Sequence, residues 1–116
     1  MTERRTDSVF GLLGLARRAG AIAPGTDAVR RAVREGEARL VLFARDASGV
    51  QLDKIRTTMK DRAIPRVTLG DRDTLGAAVG LAPLSAVAVT DRALAERLVA
   101  EIDRSSGEGS MDAVEA

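Results

Sequence analysis

Gly25, Thr26, Asp27, Ala28 and Arg31 share one stretch, PGTDAVRRAVREG at residues 24–36, in which the polar chemistry of the chain is concentrated. A Pro–Gly pair leads into a short helix there. A helix N-terminus presents unpaired N–H groups and a partial positive charge, which attract phosphates and base acceptors. Gly25 has no side chain to hold a ligand away from that backbone. Thr26 and Asp27 either cap the helix or turn polar groups toward a ligand. Arg31 lies one turn beyond Asp27 on the same face and can form a fork to phosphate. A plainer reading stands beside this one: Thr26 or Asp27 is an N-cap, and Arg30, Arg31 and Arg34 form a solvated face.

Other chemistry is scarce. The sequence has no cysteine, hence no disulfide or thiol nucleophile, and a cytoplasmic setting is expected. It has no histidine, so the usual neutral-pH proton shuttle and every Cys/His metal cluster are missing. No metal or cofactor is expected. The glycines at 70, 76 and 80 make no phosphate-loop lysine motif, and GLLGLARRAG opens inside a helix rather than after a strand. Asp71 and Asp73 form an acid pair, but Asp73 beside TLG reads as a helix cap. Phe10 and Phe43 are the only aromatics and fit a core, so there is no stacking platform for single-stranded bases. A nucleic acid would have to be met by backbone, arginine and shape. Catalysis is not expected.

Charge favours such a ligand. Residues 1–66 carry 14 Lys and Arg against 8 acids, whereas residues 67–116 carry 4 against 9. One basic region on an otherwise balanced chain suits a polyanionic partner. No apolar run approaches the roughly 20 residues of a membrane span, and the polar opening MTERRTDS gives no expectation of a secretory signal.

The elements that would position these residues alternate. The 116 residues suit one domain, expected over 7–104. Asp7 or Ser8 can cap a helix through SVFGLLGLARRAG, with Val9, Leu12, Leu13 and Ala16 inward. AIA, residues 21–23, is a short strand, and the 24–36 helix follows with Ala28, Val29, Ala32 and Val33 toward the core. ARLVLFA at 38–44 has the continuous apolar character of a buried strand. A third helix then ends near Arg62, with Val50, Ile55 and Met59 inward. PRVTL is a strand, GDRDTLGAAVG a short helix, and LSAVAV at 84–89 a second buried strand. Asp91 begins a last helix through Ile102, with Leu94, Leu98 and Val99 inward. Residues 105–116 are acidic and expected to be disordered. The order predicts an α/β fold: a three-layer α/β/α sandwich around a four-stranded mixed sheet.

Several blocks in this order carry a resemblance. GTDAVRRAVREGEARLVLFARDAS at 25–48 resembles the signature of the kink-turn RNA-binding ribosomal protein family, the L-seven-Ae and L-thirty-e group. There the helix reads Gly-x-Asn-Glu-x-x-Lys ahead of an apolar strand. IPRVTLGDRDTLGAAVG at 64–80 resembles the second family block, a Pro-led strand before Leu-Gly-x-Ala-x-Gly. LGLARRAG and FARDAS are closer to the small bacterial members of YlxQ type. The resemblance implies a non-enzymatic RNA-binding protein recognising a sharply bent kink-turn, whose tandem sheared G·A pairs lie against the start of the helix. It also implies a kink-turn or ribosomal RNA partner and a ribosomal or other ribonucleoprotein setting; a monomer without membrane association is expected alongside. By position, Gly25 and Thr26 keep backbone roles, Asp27 stands for Asn, Ala28 for Glu, and Arg31 for Lys. Arg45 follows the central strand beside the RNA, and Leu81, Ala82, Pro83, Leu84 and Ser85 form the loop over the flipped-out nucleotide. Ala28 supplies no acceptor for a guanine edge, and Asp27 loses the amide donor. A protein-interaction module on the same fold, without RNA binding, is the alternative; the chain has little room for an appended catalytic domain.

Overall fold

The computed structural model describes residues 2–105, with side chains described for residues 8–104. The chain alternates helix and strand: α1 (Thr2–Arg18), β1 (Ile22–Pro24), α2 (Thr26–Arg34), β2 (Leu40–Phe43), α3 (Gly49–Met59), β3 (Arg66–Thr68), α4 (Arg72–Ala78), β4 (Ala86–Val89) and α5 (Arg92–Ser105). The four strands form one mixed sheet in the order β1-β4-β2-β3. β2 and β3 are parallel, and β4 runs antiparallel to both β1 and β2. Thus β1, β2 and β3 all point the same way.

The two central strands are buried at every residue, which is why their sequences are continuously apolar rather than alternating. Alternation survives as a choice of face. Leu40, Leu42, Val87 and Val89 join Leu13, Leu75, Leu98 and Ile102 on the side of α1, α4 and α5. Val41, Phe43, Ala86 and Ala88 join Val29, Val33, Ile55 and Met59 on the side of α2 and α3. The sheet therefore separates two apolar layers, the expected α/β/α sandwich.

Several local expectations change. α1 begins at Thr2, so Asp7 and Ser8 lie inside the helix rather than at its start; Glu3, Arg4 and Arg5 are good helix formers. β1 is displaced by one residue and ends on Pro24, which an edge strand tolerates. α3 stops at Met59, short of Arg62, because Asp61 adopts a left-handed φ of 68°. Val50 faces solvent at 63% exposure, since the inward stripe of α3 passes through Ile55 and Met59 instead. The cap of α4 is Asp71, which accepts from the N–H of Thr74 at 2.8 Å, and Asp73 sits within the first turn. In α5 it is Ala95, Leu98 and Ile102 that are buried, with Leu94 and Val99 only half-buried, and the helix continues to Ser105. The remaining acidic segment, residues 106–116, lies outside the described residues.

Candidate nucleic-acid interface

Because β1, β2 and β3 run together, their carboxyl ends share one edge of the sandwich, and the N-termini of α2, α3 and α4 gather there. In α/β sheets that edge is where ligands meet backbone N–H groups and helix dipoles.

The three helices are finished differently. Ser48 Oγ accepts from the N–H of Gln51 at the start of α3, and Asp71 forms a capping box with Thr74 at the start of α4. The N-cap of α2 is Gly25, and no side chain caps its first turn. Neither Thr26 nor Asp27 is the N-cap, so the plainer reading of those residues does not hold. The N-cap backbone has φ 93° and ψ 160°, a region essentially confined to glycine. Gly25 is fixed from behind by its own N–H, which donates to the carbonyl of Ala86 at 2.9 Å.

Pro24, Gly25, Thr26, Asp27, Ala28 and Arg31 line one open groove of about 550 Å³. Gln51 and Lys54 of α3 form its other wall. Ala28, expected in the core, is only half-buried and faces this groove. The three arginines of α2 have separate surroundings. Arg30 is half-buried and donates from Nε to Thr58 Oγ1 at 3.2 Å, tying α2 to α3. Arg31 lines the groove, and Arg34 is exposed one turn farther along.

The loop of residues 81–85 packs beside this end. Its Leu81 N–H donates to the Gly76 carbonyl at 2.9 Å, and its Leu84 N–H donates to the Arg72 carbonyl at 3.1 Å. The loop lies so close to α4 that a Cβ on Gly76 would collide with the Ala82 carbonyl. Leu84 reaches toward Gly25, with its Cδ2 3.8 Å from where a Cβ there would lie. Leu81, Ala82 and Pro83 are exposed, while Leu84 and Ser85 are half-buried. Arg45 is exposed at the same edge but does not line the groove. Its charge contributes, after the hydrogen bonds from Thr74, to holding the Asp71 carboxyl below its ordinary value.

Gln51 and Lys54 line the groove, and the buried Gly76 seats the 81–85 loop, without having been named as site residues from sequence. A glycine inside the helical TLGAAVG was the available signal for Gly76. The α3 pair depends on how α2 packs against α3, which no local pattern reveals. Among the described residues no cluster of acids could hold a metal ion, and no helix is long and apolar enough to cross a membrane.

Comparison with known proteins decides the kinship. The profile of the ribosomal protein L7Ae/L30e/S12e/Gadd45 family matches residues 7–99. The chain belongs to this family. It is 35% identical over 94 residues to the RNA-binding protein YlxQ of Bacillus subtilis, covering 81% of this chain and 94% of that protein. It is 29% identical over 98 residues to the large ribosomal subunit protein eL8 of Thermoplasma volcanium, covering 84% of this chain and 81% of the relative. Among solved structures, a Bacillus halodurans protein of unknown function superposes with a TM-score of 0.76 at 33% identity, over 82% of this chain and 96% of the other. The Giardia lamblia 15.5kD RNA binding protein shares the fold, with a TM-score of 0.71 at 20% identity, over 90% and 89% of the two chains. The matched region contains both the α2 N-terminus and the 81–85 loop.

Proposed function

We propose that this protein binds structured RNA of the kink-turn type, non-enzymatically, through the carboxyl edge of its sheet. The observation that carries this reading is the uncapped α2 N-terminus at Gly25, open to a groove that Arg31 and Lys54 flank with positive charge. Unpaired N–H groups and the helix dipole favour phosphate and base acceptors, and two cations add a sequence-independent term. Gly25, Thr26, Asp27, Ala28 and Arg31 act together at the helix start. Arg45 and Leu81, Ala82, Pro83, Leu84 and Ser85 flank the RNA from the neighbouring loops. The RNA-binding name of the YlxQ relative supports the ligand class, and the eL8 relatives support a ribosomal or ribonucleoprotein setting. The functional unit is residues 7–104, acting as a monomer.

Ala28 favours a second reading, a protein-interaction module on the same fold, because its methyl group offers no hydrogen-bond acceptor at the groove. A gel-shift titration with a kink-turn and a matched plain duplex separates the two. Selective retention of the kink-turn is the expected result; absence of binding to either RNA supports the protein-interaction reading.

A further inference from the structure

We propose that Asp46 is a positioning residue that sets the 81–85 loop against the α2 N-terminus. This rests on the RNA-binding reading above. Asp46 lies in the turn after β2, and its carboxylate holds Arg72 twice. Oδ1 accepts from the Arg72 backbone N–H at 2.8 Å, and Oδ2 lies 3.5 Å from Arg72 Nε. The Arg72 carbonyl accepts the N–H of Leu84, whose side chain approaches Gly25. One carboxylate is thereby linked, through a single residue of α4, to the loop and to the groove.

The α4 capping box of Asp71 and Thr74 satisfies the N–H groups of those two residues, and Asp46 takes the remaining N–H of Arg72, so its place at the helix start and its hold on Arg72 are one contact. Both side chains of the Asp46–Arg72 pair are about half exposed, at 52% and 51%, so its Coulombic contribution to stability is small. An acid at an RNA-facing edge is also electrostatically adverse to binding. What Asp46 supplies is direction: an acceptor that fixes where Arg72, and hence Leu84, can sit. Two neighbouring backbone bonds, Ala44 N–H to the Ser85 carbonyl at 2.9 Å and Arg45 N–H to the Gly70 carbonyl at 2.8 Å, hold the same loops and leave Asp46 as the side-chain link.

Charge and position make opposite forecasts, which allows a decisive test. Asp46→Ala removes both the charge and the acceptor; Asp46→Asn removes the charge and keeps an acceptor oxygen. Each variant is titrated with a kink-turn RNA, and amide exchange at Leu84 is measured on the free protein. Positioning predicts that Asp46→Ala binds about tenfold more weakly, the scale of one lost hydrogen bond to a charged group, despite shedding an adverse charge. It predicts that Asp46→Asn binds at least as well as wild type. Leu84 exchange should rise about tenfold in the alanine variant alone. If both variants bind more tightly to the same extent, or if Leu84 exchange is unchanged in Asp46→Ala, the proposal is wrong. Wild-type protein that binds no kink-turn overturns the functional reading and the RNA role of Asp46 with it. The exchange result still decides, either way, whether Asp46 sets the loop.

Discussion

The backbone N–H of Gly25 donates to the carbonyl of Ala86 at 2.9 Å, joining the N-cap of α2 to the first residue of β4. That bond fixes the backbone from which α2 departs, at φ 93° and ψ 160°. Gly25→Ala should therefore lower stability by about 1–3 kcal/mol through backbone strain, because the added Cβ itself would find only ordinary contact with Leu84. Thermal denaturation reads this directly, and unchanged melting would show that the backbone can relax away from this conformation.

Gly76 is constrained by space rather than by torsion. Gly76→Ala places a methyl against the Ala82 carbonyl, and the loop must move to admit it. We expect a cost of about 1–3 kcal/mol in stability, together with weaker RNA binding. Gly11, which has open space around it, is the control: Gly11→Ala should be neutral or slightly stabilising.

Sequence made the central layer legible and the contacts across it obscure. The apolar runs around Leu40–Phe43 and Ala86–Val89 mark buried strands because both their faces are covered. The edge strands were harder to bound, since β1 takes its limits from the register with β4 rather than from its own residues. Asp73 beside TLG reads as the cap in sequence, and the chain path selects Asp71 instead. At the candidate interface, the glycine-led start of α2 was visible. The place of Lys54 opposite Arg31, and the attachment of Arg30 to Thr58, depend on packing between α2 and α3.

The α2 arginines should separate by experiment. Arg31→Ala is expected to cost about 1–2 kcal/mol of RNA binding and to lower the salt slope by about one. Lys54→Ala should act in the same direction. Arg34→Ala, beyond the groove, should change binding much less. Arg30→Ala should instead lower thermal stability, through loss of its bond to Thr58. Salt-dependent titrations and melting curves distinguish these effects; equal loss of binding in all three arginine variants would indicate a diffuse basic face.

Asp71 gives a pH-dependent signature. Its carboxyl lies below the ordinary value, chiefly through the backbone N–H of Thr74 and next through the Thr74 hydroxyl. A carboxylate lowered on folding adds stability that is full above its unfolded pKa of about 4 and is lost as pH falls through the lower folded value. Asp71→Ala should melt below wild type near neutral pH, and the gap should narrow once the pH falls below about 4. A gap that is constant across that range would mean the capping carboxylate is not what stabilises α4.

The central claim is that RNA lies against the first turn of α2 rather than along its side. It is tested most directly by titrating wild type and Ala28→Glu with a kink-turn RNA and with a copy whose tandem G·A pairs are made Watson–Crick. RNA at the helix start predicts that wild type prefers the kink-turn. It also predicts that the added carboxylate, supplying a guanine acceptor, widens that preference despite its charge. Equal binding of both RNAs by wild type, with Ala28→Glu merely weakening the two alike, would contradict it.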